Sequence, residues 1–138
     1  MKSLLIFIAL AVTLQCNAQE ISPKQQKFIK GFVEAVKSHK VNKVLRFMDK
    51  TYKKEQLAFL GGNKEQFVNE LFGGTDILTD QWVNIQLKNI LKIEIAEVIA
   101  LKDGSYTYIF RIWDSEHDIL TSLLLLKNKK MGIEGAWG

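Results

Sequence analysis

Cysteine is almost absent from the sequence: Cys16 is the single one among 138 residues. It lies in an N-terminal segment that we predict to be removed, so the mature domain is expected to contain no thiol. Disulfide bonds, a cysteine nucleophile and cysteine-ligated metals are then excluded. The domain must be stabilised by its core alone, which is feasible because a chain of about 120 residues buries roughly two-thirds of its unfolded surface.

Motifs for several other chemistries are missing as well. There is no Gly-x-Ser-x-Gly motif, and the glycine pairs at 61–62 and 73–74 lack the continuation of a phosphate-binding loop. The dense group of metal-ligand side chains consists of Asp114, Glu116, His117 and Asp118. Such a set can bind calcium or zinc, but its spacing matches neither an EF-hand nor a His-Glu-x-x-His helix. We therefore predict a polar hairpin turn, with no metal and no other cofactor.

The first eighteen residues have the pattern of a bacterial-type secretory signal peptide. Lys2 provides the positive start, residues 4–14 form an apolar run, and Cys16-Asn17-Ala18 places small residues where a signal peptidase cleaves. The apolar run has about half of the ~20 residues that a membrane-spanning helix needs, and no later segment is long enough. We predict cleavage after Ala18 and one periplasmic or secreted domain at 19–138, with no membrane span.

A lipoprotein is the alternative for this N-terminal segment. Cys16 would then be acylated and would anchor the protein to a membrane. The residue directly before an acylated cysteine is normally small, and Gln15 is not. We therefore favour simple cleavage over lipidation.

Charge is unevenly distributed along the chain, whose formal net charge is +4. Residues 20–54 contain ten Lys or Arg against three Asp or Glu, whereas residues 55–138 contain eight against twelve. Such asymmetry indicates an anionic partner, or simply helices that carry lysine on their solvent-exposed faces. We predict no nucleic-acid partner, because the aromatic residues follow core periodicity instead of forming a stacking platform.

The first predicted helix has clear start signals. Ser22 can cap it, Pro23 suits its first position, and Gln25 can complete a capping box. Its apolar stripe consists of Phe28, Ile29, Phe32, Val33 and Val36. His39 follows at the helix end, where a histidine commonly interacts with the C-terminal dipole.

Three more helices and then strands are predicted. The helices lie at 41–48, 53–60 and 63–72, the last capped by Asn63 and ended by the glycines at 73–74. The apolar period then becomes that of strands, which we predict around 91–95 and at 106–113, 119–126 and 131–137, with 82–87 as a short strand or a linking segment. Helices followed by an antiparallel meander predict an α+β domain with the helices on one face of the sheet.

The two faces of the predicted sheet can be compared. The more apolar side of the strand at 106–113 carries Tyr106, Tyr108, Phe110 and Ile112, and we expect it to face the helices. The next strand is apolar on both sides, with Leu123 and Leu125 on one and Leu124 and Leu126 on the other. A strand with one solvent-exposed face should alternate apolar and polar residues. We therefore predict that the outer face is covered by a homodimer partner or by the segment around Trp82.

A family resemblance adds to this interpretation. The lysine-rich first helix, the second helix beginning Val41-Asn42-Lys43-Val44 and the meander ending Gly132-Ile133-Glu134-Gly135-Ala136-Trp137 resemble the cone-shaped α+β superfamily. That superfamily includes ketosteroid isomerase, the polyketide-cyclase-like proteins and nuclear transport factor two. The resemblance covers roughly residues 22–138 and concerns architecture. It implies helices on the concave face of a curved meander, a deep pocket between them and dimerisation through the sheet, but no particular activity.

These features lead to three functional hypotheses. The first is a non-catalytic binding or accessory module for a small apolar ligand, with a pocket lined by Phe32, Phe59, Tyr106, Tyr108 and Phe110. The alternative is an isomerase- or hydratase-type enzyme in which Asp49 and Tyr52 form an acid–base pair. The third is a protein that binds a partner through its outer sheet face or its lysine-rich helix face. Whether the protein is an enzyme stays open at this point.

Overall fold

A computed structural model describes residues 21–127 and 130–135. Within these residues, four α-helices precede the six strands of one antiparallel sheet, so the predicted α+β class is confirmed. The helices are α1 (Pro23–Lys37), α2 (Val41–Leu45), α3 (Lys50–Phe59) and α4 (Lys64–Glu70). The strands are β1 (Gly73–Asp76), β2 (Trp82–Asn84), β3 (Lys92–Ala100), β4 (Tyr106–Trp113), β5 (Asp118–Lys127) and β6 (Met131–Gly135). The signal-peptide prediction, with Cys16 and the cleavage site, lies outside the described residues.

Strand β5 organises the sheet. One of its edges pairs with β4, from Trp113 against Asp118 to Tyr106 against Leu125. The other edge is shared, because β1 pairs with its beginning and β6 pairs with residues 123–127. β2 pairs with β1 and β3 pairs with β4, so the order is β2-β1-β5-β4-β3. In the described part of the chain, β3 is therefore an edge strand.

Side-chain caps set the starts of the helices. The Ser22 hydroxyl accepts a hydrogen bond from the backbone N–H of Gln25, which confirms the predicted start of α1. The Asp49 carboxylate caps α3 in the same way, so α3 begins three residues before the prediction. α2 ends at Leu45 and not at 48, and Met48 instead forms an isolated bridge with Ile133 of β6.

Gly73 and Gly74 begin a strand that the sequence did not predict. We expected them only to end the fourth helix at 72, whereas α4 ends at Glu70 and β1 follows. A Cβ atom on Gly74 would lie 2.7 Å from the carbonyl carbon of Leu120. Only glycine allows β1 to approach β5 so closely.

The core lies between the helices and the inner face of the sheet, which is the face turned toward them. Tyr106, Tyr108, Phe110 and Ile112 are all buried there, as predicted. Phe32 of α1 lies at the centre, with its ring centroid 5.6 Å from that of Phe110. Aromatic burial of this kind is a large share of the hydrophobic stabilisation of a small domain.

Candidate functional site

An open groove with a volume of about 440 Å³ runs between α1 and β3. Its apolar lining comes from Ile21, Ile29, Val33, Ile93, Ile95, Val98 and the ring of Tyr108, and its polar lining comes from Gln26, Lys30, Glu34, Lys37 and Glu94. Gln26 and Lys37 mark the two ends of the helical wall, which spans about 16 Å at 1.5 Å per residue. This volume lies in the range of small-molecule sites.

A β-bulge makes the β3 wall of the groove apolar. The pairing of β3 with β4 shifts between Ile95 and Glu97, so that Val98 lies opposite the inward-facing Tyr108. With an unbroken register, Glu97 would lie opposite Tyr108 and would turn its carboxylate toward the helices. The extra residue of the bulge therefore keeps Glu97 on the outer face and Val98 in the groove.

A buried polar pair involves Tyr108, the β4 residue that lines the groove. The amide nitrogen Nε2 of Gln25 donates a hydrogen bond of 2.7 Å to the hydroxyl of Tyr108. Gln25 is 0% exposed, and its Oε1 has no hydrogen-bond partner among the described residues. Leaving such an atom unpaired costs about 1–3 kcal/mol. Burial raises the pKa of Tyr108 to about 12, so the phenol is neutral and keeps its own hydrogen to donate.

His39 fastens the other end of α1 to the sheet. It lies just beyond the helix with a φ of 59°, in the left-handed region. Its Nε2 is 2.7 Å from the carbonyl oxygen of Ile90, two residues before β3. Because a carbonyl only accepts, Nε2 carries the hydrogen. His39 lies at a helix end, as predicted. Its hydrogen bond to Ile90 also fixes the spacing between the two walls of the groove.

The five aromatic residues expected to line a pocket have different surroundings. Of these, Tyr108 lines the groove. Phe32, Phe110 and Tyr106 are buried in the packed core. Phe59 is 78% exposed. It is the last residue of α3, a helix in which no residue is buried. The structure therefore places Phe59 in solvent, and the cavity lies beside the expected aromatic cluster instead of within it.

The two candidate catalytic residues lie beside β6, away from the groove. The Asp49 carboxylate accepts the backbone N–H of Tyr52 at 3.0 Å, so its position is set by its role as a helix cap. The Tyr52 ring packs against Phe67 with centroids 5.6 Å apart. Burial, and to a smaller extent the charges of Glu134 and Glu70, raise the pKa of the Tyr52 phenol.

Glu134 of β6 is a third titratable group in this region, and the sequence reasoning did not single it out. Burial raises the pKa of its carboxyl, and the nearby carboxylates of Asp49 and Glu55 raise it further. Perturbed pKa values of neighbouring groups are typical of catalytic sites, and they also arise in purely structural clusters. The structure thus brings Asp49, Tyr52 and Glu134 together at the junction of α3 and β6.

The loop at 114–118 is the predicted polar turn. Asp114 accepts the backbone N–H groups of Glu116 at 2.8 Å and His117 at 2.6 Å. Asp118 accepts two hydrogen bonds from the guanidinium of Arg111, at 2.9 and 2.6 Å. These carboxylates are thus engaged within the turn and its flanking strands. In residues 21–127 and 130–135, no group of three or more His, Cys, Asp or Glu is arranged to hold a metal ion.

The outer sheet face is only partly covered. Leu124 and Leu126 are half-buried, and Leu120 is exposed. The Trp82 ring lies over Gly73 of β1, where a Cβ atom would meet it at 2.6 Å. Near the opposite edge, the Lys92 amine lies 4.7 Å above the ring of Trp113. The outer-face homodimer stays a prediction.

The sequence analysis also missed the role of Gln25, although a signal for it exists. Gln25 continues the stripe of buried α1 residues Ile29, Phe32 and Val36 at helical spacing, so it is a polar residue in a core position. Such a residue needs a buried partner, and Tyr108 supplies it. The predicted capping box, in which the Gln25 side chain would accept the backbone N–H of Ser22, is wrong: Gln25 Nε2 bonds to Tyr108 and Oε1 has no partner among the described residues.

The chain was compared with protein-family models, with curated proteins and with solved structures, and nothing matched in any of the three comparisons. Along the residues that the structure describes, no helix combines the length and the apolar character that crossing a membrane requires. The geometry of the chain itself is therefore the basis for assigning a function.

Proposed function

We propose that the protein is a non-catalytic binding module that holds a small, elongated apolar molecule in the groove between α1 and β3. The observation that carries the proposal is a concave site of about 440 Å³ with an apolar lining and charged side chains at its margin. A concave, mostly apolar site of this volume is where a domain of this size is expected to bind a small molecule.

The lining indicates the chemistry of the ligand. Ile29, Val33 and Ile93 would contact an aliphatic or aromatic body up to about 16 Å long, the length of the helical wall. The ring of Tyr108 adds an aromatic surface to this lining, while its hydroxyl is engaged by the buried Gln25 amide. Lys30 and Lys37 lie at the margin together with Glu34 and Glu94, and Lys37 pairs with Glu34 at 3.5 Å, so the margin favours neither sign of charge on the ligand.

A fluorescence titration tests the groove directly. The probe is 1-anilinonaphthalene-8-sulfonate, whose emission rises in apolar sites, and the variant is Val33→Asp, with the milder Val33→Ser beside it. Both should weaken probe binding, Val33→Asp at least about tenfold, because a charge replaces apolar contact surface. Leu78→Asp is the matched control, because Leu78 is 78% exposed and lies outside the groove. Equal binding by all four proteins, with unchanged circular dichroism, would refute the proposal.

An acid–base enzyme is the second candidate, and the raised pKa values of Tyr52 and Glu134 favour it. Asp49 would act as the base, and the Tyr52 phenol and the Glu134 carboxyl, whose pKa values are raised, would act as proton donors. An enolisable ketone and a small enone are the probes for isomerase and hydratase activity. Activity that disappears in Tyr52→Phe and in Glu134→Gln would support the enzyme; turnover unchanged by both would exclude this site.

We further propose that the mature domain is exported and begins at Gln19, as the signal pattern of residues 1–18 indicates. The intact mass of the protein from its natural source tests this. A mass that starts at Gln19 is expected. A mass that includes Cys16 with a diacylglyceryl group would show a lipoprotein instead.

A further inference from the structure

The free edge of β3 exposes apolar side chains to an unusual degree. Four of the nine large hydrophobic residues that are exposed in the described chain lie on this strand or next to it: Leu91, Ile95, Ile99 and Leu101. An edge strand also presents unpaired backbone N–H and C=O groups. Proteins normally protect such an edge, and here only the first half of the strand, before the bulge at residue 96, is regular enough to accept another strand.

Residues 91–95 read Leu-Lys-Ile-Glu-Ile, and this stretch is complementary to itself. If two copies pair antiparallel about Ile93, Lys92 of each lies opposite Glu94 of the other. Ile93 then lies opposite Ile93, and the exposed Ile95 lies opposite the exposed Leu91. Opposite residues in an antiparallel pair have Cβ atoms about 4.5–5.5 Å apart, so both unlike charges and apolar side chains come into contact.

We propose that two copies of this chain associate through residues 91–95 and so join their sheets into one continuous antiparallel sheet. Charge complementarity selects a second copy as the occupant of this edge, because the register that pairs Lys92 with Glu94 is the one generated by a two-fold axis at Ile93. The bulge limits the contact to this short stretch. Ile93, Glu94 and Ile95 also line the groove, so the two sites share this stretch of β3.

The charged side chains of the paired stretch are available for this contact. Lys92 and Glu94 are both more than half exposed, and within one chain their Nζ and Oε2 atoms are 3.7 Å apart on the same face. Pairing would therefore assemble two lysines and two glutamates in alternation across the strand junction. Such a network stabilises more than an isolated exposed ion pair and weakens with salt.

Charge reversal with mixing tests the pairing. Lys92→Glu sets glutamates against glutamates, and Glu94→Lys sets lysines against lysines, so each variant alone should dimerise at least about tenfold more weakly than the wild type. An equimolar mixture of the two variants restores both unlike pairs and should form a heterodimer. Sedimentation velocity over a micromolar concentration range measures the wild type, each variant and the mixture. In the dimer, amide exchange should slow at those residues of 92–95 whose N–H groups point away from β4.

Two control variants keep the test specific. Glu97→Lys reverses a charge on the same strand beyond the bulge, and Leu120→Asp places a charge on the outer face of β5; neither should change the wild-type dimer. A wild-type protein that is monomeric throughout the range would overturn the proposal. So would a dimer that both single reversals leave intact, or one that Leu120→Asp dissociates, since the latter would place the contact on the outer sheet face.

Discussion

The buried pair formed by Gln25 and Tyr108 gives the most quantitative prediction. Tyr108→Phe removes the one hydroxyl that the Gln25 amide contacts and leaves the whole amide without a partner at a position that is 0% exposed. The expected loss of unfolding free energy is about 1–3 kcal/mol, the cost of a buried polar group that has lost its hydrogen bond. Gln25→Met keeps the length of the side chain and removes both its buried donor and its unpaired acceptor.

The double variant decides whether the hydrogen bond is the cause. Gln25→Met combined with Tyr108→Phe leaves no polar atom unpaired at this site, so it should be more stable than Tyr108→Phe alone by about 1 kcal/mol or more. Urea unfolding of the wild type, the two single variants and the double variant gives the coupling free energy. Strictly additive effects of the two substitutions would refute the reasoning, because they would show that the two side chains do not interact.

Three further predictions concern other parts of the fold. Gly74→Ala should lower the unfolding free energy by about 3 kcal/mol or more in thermal or urea unfolding, since its Cβ would overlap the Leu120 carbonyl; a neutral effect would show that β1 does not lie so close to β5. Asp49→Ala should cost about 1 kcal/mol by loss of the α3 cap, measured in the same way, and Asp49→Ser should recover most of it. Hydrogen bonds from Arg111 lower the pKa of Asp118 in the folded state. The pair therefore stabilises the fold fully above the unfolded-state pKa of about 4, and this stabilisation is lost as the pH falls through the lower pKa of the folded state. Arg111→Gln should therefore lose stability at pH 7 and less at pH 2; an equal loss at both would contradict this origin.

The sequence predicted regular elements well where one residue type dominates the local energetics. Ser22 and Asn63 mark helix starts through their side-chain oxygens, and the alternation at Tyr106–Trp113 identifies both the strand and its inner face. The prediction failed at Gly73 and Gly74, because a glycine pair ends a helix and also permits close strand approach. The second role depends on Leu120, which is distant in sequence.

The candidate site was harder to predict, because it arises from tertiary placement. Aromatic content suggested a pocket around Phe32 and Phe110, but those rings pack against each other and fill the space. The groove forms beside them, where the bulge after Ile95 turns Val98 inward. No local sequence pattern shows that the bulged part of β3 will lie beside α1 and leave a groove between them.

Native mass spectrometry of the mature protein from its natural source tests the central claim most directly. We expect a reproducible adduct of one apolar small molecule on the wild type and on Leu78→Asp, and its loss from Val33→Asp. Bare wild-type protein, or an adduct that Val33→Asp retains, would contradict the assignment of the groove between α1 and β3 as the binding site.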